Sequence, residues 1–176
     1  MTLNSYMPVK LITGAGCVRT AAKELASLGK ACLIVTGKKS ARVSGALQDV
    51  TDTLDRNSQQ WLLFDEIGPN PKLIDCMAAA EKAIAAGADF VLGIGGGSAL
   101  DAAKCIAVLA ANPGLTQAQL YAFDWRNPPL KIAAVGTTAG TGSEVTKVSV
   151  ITTPDGRKKS FHHEAIVPAL SLGDPT

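Results

Sequence analysis

The sequence has few aromatic side chains, little excess charge of either sign and no long apolar run. Aromatic residues make up 5% of the 176 positions, charged residues make up 18%, and the formal net charge is +2. So small a net charge argues against a broad nucleic-acid surface, and no uninterrupted apolar stretch approaches the ~20 residues of a membrane span. Residues 1–10 lack a charged start followed by an apolar stretch, so we expect no signal peptide and a cytoplasmic protein.

The chain has four cysteines and two histidines, and neither set has the spacing of a metal site. His162 and His163 are adjacent, and neighbouring residues of a strand point to opposite faces. We therefore interpret them as surface or hydrogen-bonded side chains rather than as ligands of one ion. The cysteines lie among apolar residues without a C-x-x-C pair, so we predict buried free thiols in a reducing compartment: Cys17, Cys32, Cys76 and Cys105.

Apolar residues, in contrast, are abundant. They make up 47% of the chain, and the mean hydropathy is +0.19. This composition excludes a disordered chain, and the length fits one domain that buries roughly 70% of the surface of its unfolded form. The mean hydropathy is high for a single domain, and an uncovered apolar surface would explain it; we therefore predict marginal solubility, or self-association, of the isolated chain.

Short apolar runs alternate with segments of helical spacing over the first 136 residues. The runs have the pattern of strands buried on both faces and lie at residues 31–36, 61–64, 89–94 and 131–135. Helical segments are expected at residues 18–28, 40–54, 72–86 and 98–111, and a loop with an aromatic cluster at residues 112–130. This alternation predicts right-handed βαβ units and a parallel sheet.

Beyond residue 136 the pattern changes to an alternation of period two. Residues 145–152 and 157–161 flank the turn signal Pro154-Asp155-Gly156, which predicts a C-terminal β-hairpin. Residues 166–172 then predict one more strand.

Residues 95–104 form the strongest local feature, G-G-G-S-x-x-D-x-x-K, where a predicted strand meets a predicted helix. Successive glycines let the backbone approach a ligand closely, and the free N–H groups of a helix N-terminus attract an anion. We therefore favour a phosphate site. The alternative is an ordinary helix start, with Ser98 and Asp101 as a capping box and Asp101 with Lys104 as an i,i+3 ion pair.

A second feature, G-T-T-A-G-T-G-S-E at residues 136–144, follows the next predicted strand. The carboxyl ends of parallel strands build the ligand crevice of an open sheet, and threonine hydroxyls there offer hydrogen bonds to ribose, phosphate or amide groups. A solvated Gly/Thr loop is the alternative interpretation.

Together the two motifs resemble the iron-containing (group III) alcohol dehydrogenases, whose GGGSxxDxxK and TTAGTGSE segments stand here at residues 95–104 and 137–144. Further matches near residues 8–16, 68–71 and 158–175 extend the resemblance over nearly the whole chain. The resemblance implies a Rossmann-like, doubly wound parallel α/β sheet and reversible hydride transfer between a small alcohol or aldehyde and NAD or NADP. On this basis residues 1–176 are assigned to one dinucleotide-binding domain.

The resemblance also implies which residues bind the cofactor. The pyrophosphate would lie on Gly95, Gly96, Gly97 and Ser98, and Asp101 would order the loop beside it. The adenine, ribose and nicotinamide path would follow the second motif and then the hairpin, along Thr137, Thr138, Thr141, Ser143, Thr146, Val150 and Lys158.

Cofactor choice depends on the residues after the strand at 31–36. NAD-preferring members resemble one another in an Asp there, which binds the ribose 2′-OH and repels a 2′-phosphate. This chain instead has Gly37, Lys38, Lys39 and Ser40, and the lysines would offset the charge of a 2′-phosphate. We therefore favour NADP over NAD, with a solvated lysine pair as the alternative.

The family's metal ligands, one Asp and three His, lie in a helical domain that follows the segment matched by Asp174-Pro175. We predict that this helical metal-binding domain is absent here, with no metal site and no catalytic residue in these 176 residues, and that Fe²⁺ or Zn²⁺ belongs to the absent domain. The resemblance further implies a homodimer in which residues 6–11 take part. Two alternatives stay open: a non-catalytic NAD(P)-binding or dimerisation module, and a glycerol or polyol dehydrogenase.

Overall fold

A parallel β-sheet forms the centre of the protein, for which a computed structural model describes residues 7–138 and 140–175. The sheet has six strands in the order β1-β8-β5-β4-β2-β3, and every neighbouring pair is parallel. In chain order the strands are β1 (Lys10–Thr13), β2 (Ala31–Thr36), β3 (Gln60–Phe64), β4 (Phe90–Gly95), β5 (Lys131–Gly136), β6 (Val148–Thr152), β7 (Lys158–His162) and β8 (Leu170–Gly173).

Helices cover both faces of this sheet. They are α1 (Cys17–Thr20), α2 (Ala22–Ala26), α3 (Ser40–Val43), α4 (Ala46–Arg56), α5 (Leu73–Ala85), α6 (Gly97–Ala111) and α7 (Gln117–Ala122), with a 3₁₀ turn at Glu164–Ile166. One core cluster joins α5 and α6 to one face of the sheet, and a second joins α1, α2 and α4 to the other. The predicted Rossmann-like, doubly wound parallel sheet is therefore confirmed.

The predicted hairpin is also confirmed, as an antiparallel pair of β6 and β7 outside the main sheet. It packs on α6, and its residues Ile151 and Phe161 belong to the same core cluster as α5 and α6. Because the sheet, α5 and the hairpin surround α6, every α6 residue from Ala99 to Leu109 is buried.

The strand order contains a point at which the chain reverses direction across the sheet. From β2 the chain moves outward to β3, and it then crosses back to β4, which lies on the other side of β2. In open α/β sheets such a switch point opens a crevice at the carboxyl ends of the two strands, where ligands bind. Here those ends are Thr36 and Gly95.

Several predicted elements differ from the observed ones because the periodicity hides local breaks. The helix expected at 18–28 is interrupted at Ala21, and the one expected at 40–54 is interrupted at Gly45, whose φ of +78° cannot continue a helix. The expected loop 112–130 contains α7, which begins with a capping box between Thr116 and Gln119. The strand expected at 166–172 starts only at Leu170, after the 3₁₀ turn.

The N-terminal segment has a role in the sheet that the sequence did not predict. Strand β1 pairs in parallel with β8 and forms one edge of the sheet. Of the segment 6–11 assigned to a dimer contact, Tyr6 lies outside the described residues, and Lys10 and Leu11 belong to β1. The homodimer stays a prediction.

The cysteines agree with the expectation of buried free thiols, since all four are buried and unpaired. Burial raises the pKa of Cys32 well above its ordinary value. No helix within residues 7–138 and 140–175 combines the length and the apolar character that a membrane crossing requires.

Strand β4 and helix α6 approach each other closely at Gly93, which gives a first testable prediction. A Cβ added there would lie 2.9 Å from the Cβ of Ala103 and 3.1 Å from Leu100 Cδ2. We expect Gly93→Ala to lower the free energy of unfolding by about 1–3 kcal/mol, the usual cost of overpacking. Equilibrium urea unfolding measures this change.

Gly136→Ala is the matched control, because Gly136 lies in the adjacent strand β5 and a Cβ added there would meet no atom within 4 Å. It should change stability by less than about 0.5 kcal/mol. Equal effects of the two substitutions would show that the close approach at Gly93 is not a constraint on the fold.

Candidate nucleotide-binding site

Two adjoining cavities lie at the carboxyl edge of the sheet, around the first turn of α6. The hairpin cavity, of about 440 Å³, lies between α6 and the β6–β7 hairpin. The β2 cavity, of about 750 Å³, lies between the end of β2 and α6. Both are lined by Asn70, Gly97 and Ser98, so together they form one groove across the helix N-terminus at the switch point.

The structure brings most of the sequence-predicted site residues into this groove. Eight line the hairpin cavity, namely Gly97, Ser98, Asp101, Thr141, Ser143, Thr146, Val150 and Lys158. The β2 cavity is lined by Gly96, Gly97 and Ser98 together with Gly37, Lys38, Lys39 and Ser40.

The glycines permit a close approach of the second motif to the first. A Cβ added to Gly97 would lie 2.9 Å from Thr141 Cγ2, and one added to Gly96 would lie 2.9 Å from Thr138 Oγ1. Gly95 has a φ of +147°, which also favours glycine. A side chain at Gly96 or Gly97 would displace a threonine, and one at Gly95 would be strained by the backbone conformation and would meet Ala99 at 3.0 Å.

The interpretation of Ser98 and Asp101 as a capping box is wrong. Helix α6 begins at Gly97, its N-cap is Gly96, and no side chain caps it. Ser98 therefore lies within the first turn, and the Asp101 side chain is directed to the hairpin. Gly97 and Ser98 of the first turn line the groove, and the first turn of a helix leaves N–H groups without intrahelical partners and carries a partial positive charge, as an anion site requires.

Thr137 and Thr138 adjoin the glycine turn but line a different cavity from the other predicted residues. They line a third cavity of about 530 Å³, beside Val135, Leu172 and Gly173 at the ends of β5 and β8. Thr137 Oγ1 is buried there without a hydrogen-bond partner among the described residues. The threonine motif thus lies at the junction of two cavities: Thr141 faces one and Thr137 the other.

A buried polar network connects α6 to the hairpin behind the groove. Lys104 Nζ donates to the carbonyl oxygen of Val148 at 2.8 Å and to Thr146 Oγ1 at 3.3 Å. The backbone N–H of Val150 donates to Asp101 Oδ2 at 3.0 Å. Lys104 Nζ and Asp101 Oδ1 are 4.0 Å apart, so the predicted i,i+3 ion pair is present but is weaker than the contacts to the hairpin.

Burial shifts the pKa of both charged groups in this network. It raises the pKa of Asp101, against the opposing effects of the Val150 N–H and of Lys104. It lowers the pKa of Lys104 to about 8, against the opposing effects of Asp101 and Glu144. Both groups are therefore held in environments that disfavour their charged forms.

Asn70 is a residue of the groove that the sequence did not predict. Asn70 lines both cavities of the groove, and the carbonyl oxygen of the next residue, Pro71, accepts the N–H of Thr152 at 2.8 Å. This bond joins the loop after β3 to the hairpin. The Gly68-Pro69-Asn70-Pro71 turn signal marked the segment, but nothing local to it indicated the distant hairpin.

The two histidines do not share a ligand position. His162 is exposed. His163 Nδ1 accepts the N–H of Ala165, and the centroids of the His163 and Trp125 rings are 4.8 Å apart. Within the parts of the chain that the structure describes, no three His, Cys, Asp or Glu side chains are grouped so as to hold a metal ion. The assignment of Fe²⁺ or Zn²⁺ to a separate helical domain stays a prediction.

The doubly wound sheet, the glycine turn and the groove at the switch point define a Rossmann-like α/β domain. The family model for iron-containing alcohol dehydrogenase matches residues 8–175, nearly the whole chain. The chain belongs to the iron-containing alcohol dehydrogenase family, as the two sequence motifs predicted.

Individual relatives agree with this assignment. Sulfoacetaldehyde reductase of Bilophila wadsworthia is 34% identical over 166 residues, which cover 93% of this chain and 43% of the relative. Alcohol dehydrogenase 4 of Schizosaccharomyces pombe is 35% identical over 97% of this chain and 40% of its own. The chain therefore spans less than half the length of these relatives.

Solved structures of relatives also match nearly all of this chain but less than half of their own length. An iron-containing alcohol dehydrogenase from Thermotoga maritima superposes with a TM-score of 0.92 at 36% identity, over 99% of this chain and 48% of the other. Sulfoacetaldehyde reductase from Bifidobacterium kashiwanohense, solved in complex with NAD⁺, superposes with a TM-score of 0.85 at 30% identity, over 99% and 46%.

The raised pKa of Asp101 gives a prediction about acid stability. The native state holds this proton more tightly than the unfolded state does, so the contribution of Asp101 to stability falls as pH rises from the ordinary value of 3.8 through the raised native value. Asp101→Asn cannot titrate. The difference in unfolding free energy, wild type minus variant, should therefore decrease from pH 4 to pH 7 in urea titrations.

A difference that increases over this range would show that the native carboxylate is stabilised by its partners more than it is penalised by burial. Asp155→Asn is the opposite control, because the hydrogen bond from Thr153 lowers the pKa of that exposed carboxylate. Its wild-type-minus-variant difference should rise with pH over the acid range.

Proposed function

We propose that residues 1–176 form a dinucleotide-binding domain that binds NAD(H) or NADP(H) in the groove across the first turn of α6. The observation that carries the proposal is the glycine turn. Its backbone lines the groove at Gly96 and Gly97, and Thr138 and Thr141 pack where side chains at these two positions would be. An ordinary helix N-terminus does not require this packing, whereas a pyrophosphate-binding site does.

Each wall of the groove supplies a different part of the site. The first turn of α6, with Gly97 and Ser98, would hold the pyrophosphate through backbone N–H groups. The hairpin wall would hold the nicotinamide half, where Thr146 offers a hydroxyl, Val150 an apolar contact and Lys158 a positive charge. The bound nicotinamide supplies hydride-transfer chemistry, and these residues bind and orient it.

For the whole protein, the proposed activity is that of an NAD(P)-dependent alcohol dehydrogenase or aldehyde reductase. The support is membership of the iron-containing alcohol dehydrogenase family and relatives named as alcohol dehydrogenases and a sulfoacetaldehyde reductase. The substrate would be a small alcohol or aldehyde, polyols included. Catalysis would need a metal, Fe²⁺ or Zn²⁺, held outside these 176 residues, so the chain alone should bind nucleotide without turnover.

The β2 cavity supports a preference for NADP(H). Gly37 follows β2 at the position where a carboxylate would exclude a 2′-phosphate. Lys38, Lys39 and Lys72 line the same cavity as the first turn of α6. These positive charges outnumber the carboxylates that line it, Glu66 and Asp75, and favour the doubly charged phosphate.

Calorimetric titration of the purified chain with NADPH tests the nucleotide site. We expect saturable binding at one site per chain. Gly97→Ala should raise the dissociation constant by about tenfold, because the added Cβ would shift Thr141, which lines the cavity, and would stand beside the backbone that holds the pyrophosphate. A thermal unfolding curve of each protein confirms that the variant is folded. Absence of binding by the wild type, or equal binding by the two, would contradict the site.

Comparison of NADPH with NADH tests the cofactor preference. The wild type should bind NADPH more tightly, and the double variant Lys38→Ser/Lys39→Ser should lose about tenfold or more of NADPH affinity while NADH affinity changes little. The control Lys23→Ser/Lys30→Ser removes the same charge from outside the groove, and it should bind both cofactors as the wild type does. Tighter NADH binding by the wild type would refute the preference.

A further inference from the structure

Lys104 is a charged residue of the first motif that the groove does not use directly. It has no solvent-exposed surface, and it lies behind the wall of the hairpin cavity rather than in it. Both of its hydrogen-bond acceptors, Val148 O and Thr146 Oγ1, belong to the hairpin side of the cavity. The buried ammonium group therefore connects α6 to a segment more than 40 residues away in sequence.

Asp101 completes this connection one helical turn earlier. Its carboxylate accepts the N–H of Val150, and its main-chain carbonyl accepts the hydroxyl of Ser149 at 2.8 Å. Alternate residues of a strand point to one face: Val148 and Val150 line the cavity, whereas Ser149 is buried. Bonds to the backbone at 148 and 150 therefore set which β6 side chains face the groove.

An apolar side chain would fill the space of Lys104 at a lower cost. Burying an ammonium group is expensive unless hydrogen bonds compensate it, and apolar replacements of buried ion pairs are often as stable or more stable. Fold stability therefore gives a poor account of a lysine at this position. A requirement for one fixed hairpin position gives a better one, since polar contacts are directional and apolar contacts are not.

We propose that Lys104 is a positioning residue of the nucleotide site, which fixes the hairpin wall on α6 so that Thr146, Val150 and Lys158 face the bound nucleotide. This role deepens the proposed function and rests on it. Lys104 itself touches no nucleotide and acts through Thr146 and Val148.

This role predicts that the position of the hairpin on α6 depends on pH. Burial lowers the pKa of Lys104 to about 8, from 10.5 for the ordinary group. In the closed form the hairpin packs on α6, as in the structure. In an open form the hairpin would leave α6, and Lys104 would be exposed to water. Between these two pKa values, Lys104 binds fewer protons in the closed form than in the open form. The equilibrium therefore shifts toward the closed form as pH rises. For a pKa of about 8 closed and 10.5 open, the closing equilibrium gains about tenfold from pH 7 to pH 9.

Two carboxylates face Lys104, those of Asp101 and Glu144, and both favour its charged form against the effect of burial. Strands β4 and β6 carry no titratable side chain, α5 contributes the Cys76 thiol beside Cys105, and β7 contributes Lys158 at the cavity. Lys147 and Glu164 form a separate ion pair on the outside.

Quenched-flow hydrogen exchange of the chain without nucleotide measures closure directly. The protection factor of the β6 amides, corrected for the intrinsic exchange rate, should rise about tenfold from pH 7 to pH 9 in the wild type. In Lys104→Met it should not change with pH. Lys147→Met, which removes an exposed lysine near the same strand, should retain the wild-type rise.

Nucleotide titration then tests the link to the site. Lys104→Met should raise the NADPH dissociation constant about tenfold, as expected for the loss of hydrogen bonds to a charged group, while Lys147→Met should bind as the wild type does. A Lys104→Met protein that keeps the pH-dependent rise, or that binds NADPH with wild-type affinity, would overturn the positioning role.

Hydrogen exchange and nucleotide titration distinguish a failure of the positioning role from a failure of the proposed function. If the wild type binds no nucleotide, the proposed function fails, and hydrogen exchange still shows whether Lys104 holds the hairpin. If Lys104→Met does not fold, the wild-type pH profile decides alone, and a flat profile between pH 7 and pH 9 would refute the inference.

Discussion

The close approach of β4 to α6 is the constraint on which the rest of the structure depends. At Gly93 the helix lies so near the strand that a single added carbon would meet Ala103 and Leu100. That distance sets where the first turn of α6 emerges at the edge of the sheet, beside the end of β2. It also leaves the outer side of α6 free for the hairpin, whose inner residue Ile151 is buried in the core cluster of α6. The groove is the space that remains between these elements.

Much of this arrangement is readable in the sequence because its signals are local. The buried strands appear as short apolar runs, since parallel strands covered on both faces need no polar alternation. The glycine run at 95–97 marks the turn into α6 because Gly95 has a positive φ and because side chains at Gly96 and Gly97 would displace Thr138 and Thr141. The helix breaks at Ala21 and Gly45 were not predicted because the helical spacing of apolar residues continues across them. The place of β1 in the sheet was not predicted because four residues, KLIT, carry too short a pattern.

The parts of the site that escaped prediction depend on contacts distant in sequence. Asp101 and Lys104 suggested a local ion pair, but their stronger partners are on β6, and no spacing rule places β6 beside α6. Asn70 stands in an ordinary turn signal, and only the folded chain brings it to both cavities. The separation of Thr137 from Thr141 into different cavities likewise appears only in the folded chain, because residue types alone do not determine it.

The central claim is that a dinucleotide lies across the first turn of α6, and chemical-shift mapping by NMR tests it most directly. With the ¹⁵N-labelled chain and NADP⁺, the account predicts that the largest amide shifts occur at Gly96, Gly97 and Ser98, with further shifts at Lys38 and along β6. Saturating nucleotide that leaves the amides of residues 96–98 unchanged, or that shifts only residues outside the groove, would contradict it.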